Sequence, residues 1–386
     1  MSRLALRFGA PLALAALTAL ALTGCTGQAQ PGSTATTGAG AGGAITITAS
    51  DTACDLSATT AQAGTLTFRF TNTGSKVNEF YLYAAGDRIV TEAENITPGL
   101  SREIKVEVTE AGTYTVACKP GMSGDGIRTQ LTVTGTAPKG SSDAKLTTAV
   151  AAYTKYVESE TDELVEETGE FVAAVKQGDV AKAKALYPKA RMPWEEIEPV
   201  ADAFGDLDHR IDGREAVLAT GAKFTGFHRL ERDLWKTGLQ PDSGAVADQL
   251  LADVKQIAAK AETVEPEALS IAGGVDALLD EVATTKVTGE EERYSHTDLW
   301  DVKGNVVGSQ QALAALRPVI GERAPELLKA LDARFVALTT LLDSHRAGDG
   351  YRLYTQLTPA DVGALTVALD ALSQEVAKVP GVVGAP

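Results

Sequence analysis

The chain has 386 residues, with 51 acidic against 35 basic side chains and a formal net charge of −16. That balance argues against nucleic acid or an anionic membrane face as a partner, and it suits a protein that attracts cations. The length beyond the N-terminal leader is enough for two domains.

Residues 1–25 read as a leader. Arg3 and Arg7 give a short basic start, an Ala/Leu run follows, and the segment ends in Leu22-Thr23-Gly24-Cys25. This is the pattern of a secretory signal peptide, and its end resembles a bacterial lipobox. The resemblance makes Cys25 the lipidated first residue of the mature chain, held on the outer face of the cytoplasmic membrane. Residues 26–43, rich in Gly, Ala, Ser and Thr, read as a flexible tether. No second apolar run is long enough to span a bilayer. With Cys25 carrying lipid, Cys54 and Cys118 remain as an even pair in an oxidising setting, where a disulfide is the ordinary outcome. In the chain-entropy account such a bridge would stabilise its domain by about 4 kcal/mol.

Residues 44–135 alternate with period two. Ile45-Thr46-Ile47-Thr48, Thr65 to Phe70, Phe80 to Tyr83, Ile104 to Val108, Tyr114 to Val116 and Leu131 to Val133 carry the pattern. Asn72-Thr73-Gly74, Pro98-Gly99 and Ala111-Gly112 separate these runs, so a β-sandwich is expected. Residues 136–143 form a linker. Over 144–380 the period changes to 3.6, and about eight amphipathic segments predict a helical bundle, near 144–177, 179–205, 213–239, 243–264, 266–287, 290–317, 323–346 and 358–379. The expected fold class is α+β and multidomain: sandwich first, all-α bundle second.

The densest chemistry lies in Gly226-Phe-His-Arg-Leu-Glu-Arg-Asp-Leu-Trp235. His228 and Glu231 stand at i and i+3, so a helix puts an imidazole and a carboxylate on one face. The chain has four histidines, none before His209, so imidazole-based metal chemistry belongs to the second half. Upstream, R-M-P-W-E-E-I-E-P places Glu195 and Glu198 on one face. Pro199 cannot donate to the carbonyl of Glu195, which predicts a kink. Asp208 and Asp212 follow, and Gly289 to Asp301 supplies Glu290, Glu291, Glu292 and His296. H-x-x-E is not H-E-x-x-H, so the zinc-protease arrangement is absent. The H-T-D-L-W of residues 296–300 faintly echoes H-x-x-E-x-x-L-W, as a duplicated helical unit would.

Three of these segments, M-P-W-E-E-I-E-P-V, G-F-H-R-L-E-R-D-L-W and E-E-R-Y-S-H-T-D-L-W-D, together resemble the imelysin-like (peptidase-family) domain. The match covers most of 144–380. A β-sandwich preceding such a domain resembles the EfeO type of iron-uptake component. The resemblance implies metal ligation by His228 and Glu231, with Glu195 and Glu198 from the upstream motif and Asp212 and Glu291 nearby. Several carboxylates and one imidazole make a hard, oxygen-rich donor set that suits ferrous or ferric iron and also zinc or manganese. Clustered carboxylates repel one another, so an ion-free site should be strained and a bound cation should relieve it.

The sandwich is similar to a cupredoxin around Cys118-Lys-Pro-Gly-Met122. It contains no histidine, which excludes a blue-copper centre. In the EfeO-type resemblance Cys54, Glu79 and Cys118 match suggested metal ligands, Met122 lies close by in sequence, and copper joins zinc as an alternative to iron. That reading competes with the disulfide, because a bridged sulfur is not a thiolate ligand. The function implied is a membrane-anchored, extracytoplasmic (periplasmic) iron-binding protein. It would work with a haem peroxidase and hand iron to a permease, and it would not catalyse. A metallopeptidase of the imelysin type and an acidic-polysaccharide binder are the alternatives. The first lacks a second imidazole and a general base, and the second is disfavoured by like charge.

Overall fold

The structure is a computed structural model and describes residues 43–122, 124–137, 143–215, 223–264 and 266–385. The leader with Cys25, the tether up to Gly42 and residues 138–142 of the linker lie outside the described residues.

Nine strands build the sandwich: β1 Ile45–Ala49, β2 Cys54–Leu56, β3 Thr60–Gln62, β4 Gly64–Asn72, β5 Asn78–Tyr83, β6 Ile89–Ile96, β7 Ser101–Val108, β8 Gly112–Cys118 and β9 Ile127–Thr134. One sheet has the order β2-β1-β4-β7 and the other β3-β9-β8-β5-β6. β1 runs parallel to β4 and β3 parallel to β9; the remaining pairs are antiparallel. Alternation decides which side chains enter the core. Ile45, Ile47, Phe68, Phe70, Phe80, Leu82, Val116 and Leu131 fill it. Each run read as alternating in the sequence lies within a strand. The short β2 and β3 and the acid-bearing β6 escaped that reading.

Cys54 on β2 and Cys118 on β8 face this core from opposite sheets and are joined as a disulfide, with Cα atoms 5.7 Å apart. Of the two readings of this pair, the structure holds the bridge, so the sulfurs cannot also be thiolate ligands. Glu79 lies on the other side of β5 from Phe80, along the outer face with Tyr81. Successive residues of a strand point to opposite faces, which is why Cys54, Glu79 and Cys118 do not converge.

The second region is helical: α1 Ala144–Gln177, α2 Val180–Ile197, α3 Leu207–Asp212, α4 Gly226–Arg232, α5 Ser243–Ala261, α6 Ala268–Thr284, α7 Asp298–Arg323, α8 Pro325–Asp343, α9 Pro359–Val376 and α10 Val379–Val383. A two-stranded ribbon of β10 Arg346–Ala347 and β11 Gly350–Tyr351 interrupts it. Asp143 caps the start of α1 and left-handed Gly178 ends it. α2 stops at Ile197, and a 3₁₀ stretch runs from Glu198 to Phe204 with Val200 out of helical geometry. That is the kink expected from Pro199.

Two segments depart from expectation. Within the segment read as 213–239, the described helix begins only at Gly226 and widens into a π turn over Asp233–Thr237. Within 290–317, residues 289–297 form turns and α7 begins at Asp298. His296 has a positive φ there, so the H-T-D-L-W echo is not a second helical H-x-x-E.

Close backbone contacts fix the helices around the site. A Cβ on Gly304 or Gly308 of α7 would lie 2.6 Å from the Glu195 side chain or 1.9 Å from the Glu196 carbonyl. These two glycines at i and i+4 let α7 lie flush on α2. The sandwich meets the bundle where α6 packs on β6 and β7, with Arg102 paired to Asp280.

Candidate metal centre

Asp212 ends α3, His228 and Glu231 sit on α4, and Glu291 and Glu292 come from the turns before α7. Gly226 is what brings the first two together. Its φ of +78° starts α4, and a Cβ there would lie 2.1 Å from the Ile211 carbonyl. No other residue allows the start of α4 to rest on the end of α3.

His228 is the hub, 2% exposed. Its Nε2 is 3.4 Å from Asp212 Oδ1 and 3.8 Å from Glu291 Oε1. Its Nδ1 is 3.6 Å from Glu231 Oε2 and 3.7 Å from Glu292 Oε1. Neither ring nitrogen makes a hydrogen bond among the described residues. Each nitrogen thus belongs to a compact donor group of one imidazole and two carboxylates: His228 with Asp212 and Glu291, and His228 with Glu231 and Glu292.

Four of the six residues expected in the bundle therefore converge: His228, Glu231, Asp212 and Glu291. Glu292, one of the acids that the sequence supplies between Gly289 and Asp301, joins them. Glu195 and Glu198 lie one step away and are engaged elsewhere. Lys286 Nζ is 3.1 Å from Glu195 Oε2 and 2.8 Å from Glu198 Oε2, and Asn305 donates to both. Asp208 and Glu290 are in neither group.

The sequence did not suggest how the acids are neutralised. Arg191, wholly buried, contacts Glu195, Asp212, Glu292 (2.7 Å), Asp301 (3.1 Å) and Glu291 (3.8 Å). Arg214 reaches Glu291 Oε2 at 3.1 Å. The site is thus a lattice of alternating charge, in which built-in cations offset the repulsion among the carboxylates. The Arg of R-M-P-W was available as a signal; nothing around Lys286 marked it.

Titration follows from this lattice. Burial would raise the Asp212 carboxyl, but Arg191, His228 and Lys286 hold it well below the usual range. Glu291 is likewise pulled down against burial, by Lys286, Arg214 and His228. Burial opposes ionisation of Glu231 too, yet His228 and the backbone N–H groups of Ser295 and Tyr294, each 2.7 Å from Oε1, lower it. Burial and the neighbouring Glu231 push Glu292 well up. Burial and Arg191 disfavour a charged His228, but Asp212, Glu231 and Glu291 outweigh them and raise it well above 6.5.

Asp212 and Glu291 also line a cavity of about 710 Å³ between sandwich and bundle, whose other wall carries Glu79, Glu94 and Met122. Burial, reinforced by Glu94, pushes the Glu79 carboxyl up to about 8. Among the described residues the sandwich contributes no group of three donors close enough to share an ion.

A β-sandwich followed by a helical bundle that gathers carboxylates around one buried imidazole, donors able to hold a metal ion, is cupredoxin-like in its first part and imelysin-like in its second. The sequence model of the imelysin family (peptidase M75) matches residues 149–379, and that of the cupredoxin-like domain matches residues 13–133. The chain is 39% identical over 347 residues to the iron uptake system component EfeO of Escherichia coli O157:H7, of Escherichia coli K12 and of Shigella flexneri, covering 88% of this chain and 91% of each relative. The chain belongs to the EfeO family of iron-uptake components. A reduced auracyanin from Roseiflexus castenholzii covers 25% of this chain and 100% of its own at 22% identity, with a TM-score of 0.21, too low to carry an argument.

Proposed function

We propose that this protein binds an iron ion as cargo at the His228 centre and hands it to a membrane permease. The carrying observation is the buried imidazole whose two nitrogens are unpartnered and each face two carboxylates. Such donors hold a hard or borderline cation, and the two donor groups contain one imidazole between them. The Asp212–Glu291 side borders the cavity, so the ion enters and leaves there, while Glu231 and Glu292 lie deeper. The same donors accept zinc, and copper is a further competitor. By family resemblance the oxidising partner is a haem peroxidase. Cys25 would carry the lipid that holds the chain on the outer face of the cytoplasmic membrane. No helix among the described residues is long and apolar enough to cross a bilayer. The proposed limits are a leader over 1–25, a tether over 26–43, the sandwich over 44–135, a linker over 136–143 and the bundle over 144–380.

The test is His228→Ala, with iron affinity and thermal stability measured together. Loss of iron binding with the fold retained supports the centre. Undiminished affinity rejects it.

A further inference from the structure

The lattice around His228 contains a cation that uses the oxygens an incoming ion needs. Arg191 Nη1 bonds Asp212 Oδ1, the oxygen that also lies 3.4 Å from His228 Nε2. Arg191 Nη2 is 3.8 Å from Glu291 Oε1, which is itself 3.8 Å from Nε2. Arg191 Nε is 2.7 Å from Glu292 Oε1, which is 3.7 Å from Nδ1. Three of the four oxygens that face the imidazole are therefore shared with one guanidinium, and the fork touches both donor groups. Two other contacts, to Glu195 through Nη2 and to Asp301 through Nε, engage the same guanidinium.

We propose that Arg191 is a built-in counter-cation that competes with the cargo ion for Asp212, Glu291 and Glu292, and so limits how tightly the centre holds it. This rests on the reading of the His228 centre as the cargo site. With no ion present, Arg191 compensates the buried carboxylates and keeps the ligands assembled, because a buried charge without a partner is costly. When an ion enters, the guanidinium gives up or shares these oxygens and lies within a few ångströms of a like charge. Both effects weaken retention. For a carrier that must release its cargo this is an advantage, and it separates Arg191 from a residue that merely supports the fold. A supporting residue, once removed, lowers affinity along with stability; a competing cation, once removed, raises affinity while stability falls.

The experiment uses the full chain with Arg191→Gln and Arg191→Lys, titrated with zinc in air and with ferrous iron under anaerobic conditions, alongside thermal unfolding with and without ion. Arg191→Gln should bind either ion at least about tenfold more tightly, since a buried like charge has been removed. It should also unfold at a lower temperature without ion and gain more than the wild type on loading. Millimolar guanidinium should weaken zinc binding in Arg191→Gln and leave the wild type unchanged. Arg191→Lys keeps the charge and loses the fork, so it should fold and bind more tightly than wild type by a smaller factor. If Arg191→Gln fails to fold without ion, Arg191→Lys decides. Affinity equal to or below wild type in the folded variants overturns the proposal. His228→Ala separates the two failures: if it binds ions as the wild type does, the centre itself is wrong; if it loses them while the Arg191 variants gain nothing, only the counter-cation role falls.

Discussion

The sandwich and the bundle both carry candidate donors in the sequence, and the fold treats them in opposite ways. In the sandwich the two sulfurs are spent on each other inside the core, while Glu79 faces outward from the same sheet into the cavity. In the bundle, residues from α3, α4 and a turn before α7 meet at one imidazole. The difference is one of scaffold. A strand alternates its side chains between two faces, so donors on neighbouring strands converge only when their parity agrees. A helix keeps i and i+3 together, and short connections can then deliver further acids to the same point. Convergence of acids also demands internal cations, which the bundle supplies as Arg191, Lys286 and Arg214.

Breaking that compensation should have the largest effect. Lys286→Met leaves Glu195, Glu198 and Glu291 without the ammonium they share and is expected to cost about 3–5 kcal/mol, measured by urea unfolding. A loss below about 1 kcal/mol would mean that the lattice does not depend on this cation. Next comes the bridge: replacing Cys54 and Cys118 together by Ser should cost about 2–4 kcal/mol, while iron binding by the bundle stays intact. If the intact disulfide form binds iron at the sandwich with the bundle centre removed, the contrast between the two regions collapses.

A smaller effect is a proton count. His228 is held well above its ordinary 6.5, so it is charged at neutral pH in the ion-free protein. A ligating imidazole must lose that proton. Binding between His228, Asp212 and Glu291 should release about one proton per ion and tighten about tenfold per pH unit below the imidazole's pKa, which calorimetry in buffers of different ionisation enthalpy can measure. Zero release would place the ion away from the imidazole. The smallest effect concerns Glu79, whose carboxyl is pushed by burial and the neighbouring Glu94 from the ordinary 4.5 up to about 8. The folded state binds the extra proton between these values, so its contribution is full below 4.5 and is lost as pH rises towards 8. Glu79→Gln should flatten stability across that window, by on the order of 1 kcal/mol after screening. An unchanged profile would show that this carboxyl is solvated.

Local pattern explains what the sequence disclosed. Alternating runs gave six of the nine strands, and the H-x-x-E spacing placed His228 and Glu231 on one face of α4. Asp212 and Glu291 were named because they lie near the motifs, and Gly226, inside the quoted motif, is the residue that seats α4 against α3. What remained hidden depends on contacts between distant segments. Glu195 and Glu198 looked like ligands on pattern alone, but Lys286, some 90 residues on, holds them. No periodicity marks a single lysine that becomes buried only once distant segments have packed around it. The turns at 289–297 look amphipathic, yet two of their N–H groups bind Glu231 instead of continuing a helix.

The flush contact of α7 on α2 at Gly304 and Gly308 has a mechanical meaning. Two helices whose backbones touch have no compliance left: neither can move closer to grip an ion, and separating them exposes Glu195 and Arg191. One wall of the centre is therefore stiff. Glu291 and Asp212 sit instead in the 289–297 turns and at the end of α3, outside this contact. If the proposed centre takes an ion, the adjustment falls to the cavity-side residues Asp212 and Glu291 and not to the packed pair α2 and α7.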